Sequence, residues 1–157
     1  EEGHFNLIDF DERALNYATT QVKNAAKAAK RYIQLNHKKE SVHVLLKSAS
    51  KSQTHEHDNS HDFVYCSGLF DYLSDKVCSR LLRLFYRWLK PGGVIYITNM
   101  HTSNPDRQMM EYLMEWFLIY RDERQMRAML PGVGEQTINY DETGVNIGLE
   151  IRKTAEC

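Results

Sequence analysis

Four places in this sequence carry residues able to do chemistry. Asp9 stands near the end of the apolar run at residues 5–10, FNLIDF. A carboxylate at such a strand end can accept hydrogen bonds from two adjacent hydroxyls, which is what a ribose offers. The same residue would serve equally as a carboxylate in a turn. Cys66, Ser67 and Gly68 close a second apolar run at residues 62–66, and Gly68 permits close approach of backbone to a ligand. Cys66 could act as a nucleophile, but nothing cationic nearby would lower its pKa, and a packed strand cysteine is the simpler reading. Tyr72 is either a substrate contact or a core tyrosine. Asn99 and His101 lie in a polar segment after a third apolar run, with His101 as the candidate general base and Asn99 as a polar orienter. His55, His57 and His61, with Asp58, crowd the polar segment 51–61. Their spacing puts no two histidines on one helix face, so no metal is expected there.

Each of these residues needs an element to position it. Residues 5–10 read as a strand. Asp11 then caps an alanine-rich helix whose face is Leu15, Ala18, Val22, Ala25, Ala26 and Ala29. Residues 32–37, YIQLNH, predict a further strand, and Lys38-Lys39-Glu40 a charged turn. Ser41 can cap a helix with Val42, Leu45, Leu46 and Ala49 on one face. The run HVLL also suits a strand, but the complete i, i+3, i+4, i+7 match favours the helix. Residues 62–99 read as strand, turn, helix, turn, strand. Ser74 caps the helix, Asp75 sits in its first turn, and Val77, Leu81, Leu84, Phe85, Trp88 and Leu89 form its apolar face. Lys76, Arg80, Arg83 and Arg87 line the other face. Pro91-Gly92-Gly93 stops the helix, and Val94 to Thr98 is a strand apolar enough to be buried on both faces. Such a βαβ unit implies parallel strands. Pro105-Asp106 opens a helix with Met110, Leu113, Met114 and Phe117 as its buried stripe, ending at Tyr120-Arg121. A shorter helix spans 123–130. Residues 136–140 and 145–152 make a hairpin about the turn Asp141-Glu142-Thr143-Gly144. The class is α/β.

The run from an acidic residue through an apolar strand, a polar turn and a helix ending in LKPGG to another apolar strand resembles the second half of class I S-adenosylmethionine-dependent methyltransferases. The phrases YCSGLFDYLSDKVCSRLLRLFYRWLKPGG and TNMHTSNPDRQMMEYLMEWFLIYR resemble, more narrowly, the 3-hydroxypalmitic acid methyl ester biosynthesis protein family. The resemblance implies a Rossmann-like sheet flanked by helices and closed by a C-terminal antiparallel hairpin, with S-adenosylmethionine as cofactor. It puts Asp9 at the ribose hydroxyls and Phe10 beside the adenine. Glu40, Ser41 and Val42 become adenine-side candidates, although Ser41 is as readily a helix start. Cys66, Ser67 and Gly68 would meet the cofactor and substrate. His101, Asn99 and Tyr72 are the catalytic candidates, for O-methylation of a hydroxy fatty acid carboxylate or a similar small acceptor. The family's first strand, with its GxGxG-like turn, is expected between the strands at 5–10 and 62–66, and none of the eight glycines forms that turn. Residues 1–157 are therefore expected to be a single, partial domain that binds the cofactor poorly when isolated.

Composition narrows the partners. The 157 residues are 42% hydrophobic and 26% charged with a net charge of -1, an ordinary globular balance with no electrostatic case for nucleic acid. No run approaches the ~20 apolar residues of a membrane span. The expected partner is a small molecule, an acyl chain among the candidates. Cys66, Cys78 and Cys157 have no metal-ligand spacing and suit free thiols in a reducing compartment, the cytoplasm. Two rivals remain at this stage. An NAD-dependent oxidoreductase of Rossmann type would use the strand-end acid equally well, but the LKPGG junction and the terminal hairpin weigh against it. A non-catalytic α/β module is the other.

Overall fold

The computed structural model describes residues 2–51 and 57–154. His55 and Cys157 lie outside the described residues. Two compact units divide the chain, residues 1–52 and 53–157.

The first unit holds β1 (Gly3–Asp9), α1 (Glu12–Ala28), β2 (Ile33–Lys39) and α2 (Val42–Lys51). β1 and β2 pair in parallel from Gly3↔Ile33 to Asp9↔Lys39, with α1 as the crossover. α1 starts where the sequence puts it, because the Asp11 carboxylate accepts from the Arg13 backbone N–H at 2.8 Å. Its expected face is buried only at Leu15. Ala18, Val22 and Ala26 are half-buried, and Ala25 and Ala29 are exposed. The charged turn at Lys38-Lys39 is instead the end of β2. Pairing to β1 carries the strand through, and ion pairs of Lys38 with Glu40 (3.0 Å) and Lys39 with Glu12 (3.2 Å) accommodate the charges. In α2 the stripe Val42, Leu45, Leu46 and Ala49 is half-buried and the residues between are exposed, as a helix requires.

The second unit holds β3 (His61–Cys66), a 3-10 turn (Phe70–Tyr72), α3 (Asp75–Trp88), β4 (Leu89–Met100), α4 (Arg107–Leu113), α5 (Glu123–Ala128), β5 (Glu135–Tyr140) and β6 (Asn146–Arg152). The sheet order is β3-β4-β6-β5. β3 and β4 are parallel, and β6 pairs antiparallel with both β4 and β5, so the terminal hairpin inserts its last strand beside β4. Ile95 and Ile97 of β4, with Ile147, Leu149 and Ile151 of β6, are fully buried, as are Leu81 and Leu82 of α3. The charged residues of α3 face outward as expected.

Three local expectations fail for identifiable reasons. α3 ends at Trp88, and β4 already begins at Leu89, so Pro91-Gly92-Gly93 lies inside the strand's span and does not precede it. The register slips there, from His61↔Leu89 to Phe63↔Val94. The bulge accommodates a proline that has no N–H to give. Ser74 has the extended backbone of a cap, but its side chain bonds to nothing in the helix's first turn. α4 stops at Leu113. Glu115 takes a positive φ of 50°, and the Trp116 backbone N–H returns to the Met110 carbonyl at 2.9 Å. Of the expected stripe only Met110 is buried, while Leu113 and Phe117 are 80% and 69% exposed.

Candidate functional site

Two strand-end clusters, one in each unit, carry the candidate residues. In the first unit, Asp9 ends β1 and Glu40 follows β2. The Glu40 backbone N–H donates to the Asp9 carbonyl at 2.9 Å, which fixes the two strand ends side by side. One oxygen of the Asp9 carboxylate accepts from the Asp11 N–H at 2.9 Å. That bond sets the carboxylate's orientation. Asp11 is spent on the helix. Arg13 donates to it from the backbone at 2.8 Å and from its guanidinium at 3.4 and 3.5 Å, and these bonds hold the Asp11 carboxyl below its ordinary range. Phe10 is 70% exposed. The Glu40 side chain is nearly covered and paired with Lys38. The Ser41 hydroxyl accepts from the Val44 N–H at 3.4 Å, so it starts α2, and Val42 is that helix's first, half-buried residue.

The second cluster lies at the carboxyl ends of β3 and β4. The Ser67 and Thr98 hydroxyls are 3.0 Å apart, and the Gly68 N–H donates to Thr98 Oγ1 at 3.2 Å. Gly68 has a φ of +72°, and a Cβ there would meet nothing within 4 Å, so the turn is strained for other residues and open to approach. Cys66 is half-buried, as a strand cysteine would be. Tyr72 is more than half exposed, and its phenol oxygen accepts from the Trp116 indole N–H at 2.8 Å. Asn99 is fully buried. Its amide N–H groups donate to the carbonyls of Met100 and Ile119 at 3.0 and 2.8 Å, and its oxygen accepts from Arg121 at 2.6 Å. His101 Nδ1 lies 2.6 Å from the Ser103 hydroxyl and 3.3 Å from the Ser103 backbone N–H, which can only donate. The neutral ring therefore carries its proton on Nε2.

At the centre of this end is a residue the sequence reading passed over. Arg121 is 1% exposed. Its guanidinium donates to the Phe70 carbonyl (2.8 Å), the Leu73 carbonyl (2.6 Å), Asn99 Oδ1 (2.6 Å) and twice to Asp75 Oδ1 (2.9 and 2.8 Å). Beside it, Asp71 is buried and accepts from the Met100 N–H at 2.6 Å. Burial pushes its carboxyl up, against that hydrogen bond and the Arg121 charge. The Asp71 carbonyl accepts from Ile119 N–H at 2.7 Å, and Arg121 N–H donates to the Met100 carbonyl at 3.0 Å. The only sequence sign of this hub is an arginine directly after the apolar run Phe117 to Tyr120. Burial also lifts the Cys78 thiol to about 11, so it stays protonated and inert. His57 and His61 both lie against the Trp88 ring, at 5.6 and 5.7 Å.

Comparison with known proteins gives the family and the fold. The family described as "Methyltransferase domain" matches residues 1–93, and the chain belongs to that family. Over 96 residues the chain is 30% identical to phosphoethanolamine N-methyltransferase 1 of Arabidopsis thaliana, a match covering 60% of this chain and 19% of that protein. The chain thus aligns with about a fifth of that relative's length. Among solved structures, a SAM-dependent methyltransferase from Methanosarcina mazei has a TM-score of 0.65 at 16% identity, covering 99% of this chain and 93% of that one. Human N-acetylserotonin methyltransferase, solved in complex with SAM, has a TM-score of 0.59 at 16% identity, covering 96% of this chain and 40% of that one. The fold is that of the Rossmann-like class I methyltransferases.

Proposed function

We propose that the chain forms part of an S-adenosylmethionine-dependent methyltransferase of the cytoplasm, and that its acceptor is the carboxylate of a hydroxy fatty acid or a similar small molecule. Asp9 carries the reading. Its carboxylate stands at a strand end, half-buried, with one oxygen oriented by the Asp11 N–H. A carboxylate so held suits a ribose diol. In the first unit Phe10 and Val42 suit the adenine; in the second, the open Gly68 turn suits close approach of a ligand. The cofactor supplies a methyl group on a sulfonium, with a neutral thioether as leaving group.

A carboxylate acceptor is already a nucleophile at neutral pH, so the protein's work is to align it and exclude water. The geometry of His101 favours this acceptor. With Nδ1 taken by Ser103, the ring offers Nε2–H as a donor that can orient a carboxylate. An amine acceptor, such as the one in the name of the Arabidopsis relative, would need a group able to take a proton. Asn99 serves the framework, since both ends of its amide are bound internally. The half-buried and buried thiols Cys66 and Cys78 agree with a reducing compartment. Incubating the full-length protein with S-adenosylmethionine and either a 3-hydroxy fatty acid or phosphoethanolamine, with product identified by mass spectrometry, tests the proposal. A methyl ester from the first supports it; an N-methylated product from the second replaces the carboxylate reading.

A further inference from the structure

We propose that Arg121 is a positioning residue which, together with Trp116, sets the placement of Tyr72 at the acceptor side of the second unit. The inference rests on the methyltransferase reading for what Tyr72 faces, but not for how Tyr72 is held. Three observations carry it. The Arg121 guanidinium grips the carbonyls of Phe70 and Leu73, which bracket Asp71 and Tyr72 in the chain. The Asp71 side chain and carbonyl are tied to Met100 and Ile119, the residues on either side of the same hub. Trp116, five residues before Arg121 in sequence, donates its indole N–H to the Tyr72 oxygen at 2.8 Å. An exposed tyrosine is thus fixed at both its backbone and its tip.

The chemistry explains why arginine is present. A planar guanidinium has five N–H donors in a fixed fork, and all five are engaged here with four groups. A lysine, with three donors on one nitrogen, could not span the carbonyls of residues 70 and 73 and Asn99 together. Because the Tyr72 oxygen accepts from Trp116, its own hydroxyl proton points elsewhere. A phenol held so that it donates outward is suited to a carboxylate or phosphate oxygen on the acceptor.

The Trp116 indole N–H, which donates to Tyr72, allows a direct test in solution. In the full-length protein with ¹⁵N-labelled tryptophan, Trp116→Phe assigns the Trp116 indole N–H signal. Tyr72→Phe should move that signal and leave the other indole signals in place. Arg121→Lys should move the Trp116 signal in the same direction and speed its exchange with water about tenfold, one factor of ten being ~1.4 kcal/mol. A folded Arg121→Lys protein with the wild-type Trp116 signal overturns the proposal. If that variant does not fold, Asp75→Asn, which weakens the grip at an exposed partner, should give a smaller shift of the same sign, and no shift overturns it equally. Titration with S-adenosylmethionine separates the two readings. Arg121→Lys should keep wild-type cofactor affinity while the KM for the 3-hydroxy fatty acid rises, and a loss of cofactor affinity would overturn the acceptor-side assignment. A wild-type protein that fails to bind the cofactor would sink the methyltransferase proposal, while the indole signals would still report whether Arg121 holds Tyr72.

Discussion

The two units bury apolar surface very unequally. Among the described residues of the first, Leu15 is the buried apolar side chain, and Phe5, Ile8 and Phe10 of its leading strand segment are exposed. In the second, α3, β4 and β6 all contribute fully buried leucines and isoleucines. At ~1.5–3 kcal/mol for each such side chain, the second unit has the means to hold itself together. The first relies on a parallel ladder, an aspartate cap and a few half-buried stripes. Segments that bind ligands tend to come from the less stable end of a structure, and a ligand that binds only the folded form stabilises it. The proposed ribose ligand, Asp9, sits on the unit that would respond most to binding.

The largest effect should come from cutting the better core. Ile97→Ala, at a fully buried position of β4, should cost ~2–5 kcal/mol in urea unfolding. Leu15→Ala should cost less, since no other apolar side chain among the described residues of its unit is buried. Equal losses would erase the contrast between the units.

Within the second unit, His101→Gln should lower turnover less than about tenfold, because a carboxylate acceptor needs no base. A general base typically contributes ~10²–10⁴-fold, and a loss in that range would show that the acceptor must be deprotonated. In the first unit, Asp11→Ala should lower the melting temperature and leave S-adenosylmethionine affinity unchanged, since its oxygens serve Arg13 and the start of α1. If it abolished binding at an unchanged melting temperature, the roles of Asp9 and Asp11 would be exchanged.

The smallest effect concerns the β5–β6 turn. Asp141 accepts from the Asn146 side chain and from Thr143, and these bonds lower its carboxyl from 3.8 to about 2. A depressed carboxylate stabilises the turn above 3.8, and that contribution is lost as the pH falls through about 2. The Asn146 side-chain amide signal should be constant above pH 5 and shift on acidification toward pH 2. A midpoint at the ordinary carboxylate value would contradict the bonding.

Much of this was legible in the sequence, for physical reasons. The stripe of α2, the βαβ around α3 and the terminal hairpin all follow from periodicity, because one period matches one buried face. Asp11 was readable as a cap because it precedes the helix directly. Periodicity misled at Met110, Leu113, Met114 and Phe117, where the spacing is helical but Glu115 turns left-handed and ends the pattern. It also missed that β4 starts ahead of the proline, since a bulge absorbs what would otherwise end a strand. Arg121 was hidden for another reason. Its partners at Phe70, Leu73 and Asp75 lie 46 to 51 residues away, and two of them are backbone carbonyls, which no side-chain motif records.

The most direct test of the account is calorimetric titration of the full-length protein with S-adenosylmethionine, wild type against Asp9→Ala. Losing hydrogen bonds to a charged acceptor costs ~1.5–3 kcal/mol, so the variant should remain folded and bind about ten- to a hundredfold more weakly. Wild-type affinity in a folded Asp9→Ala protein would contradict the placement of the cofactor's ribose at the end of β1, and with it the central claim.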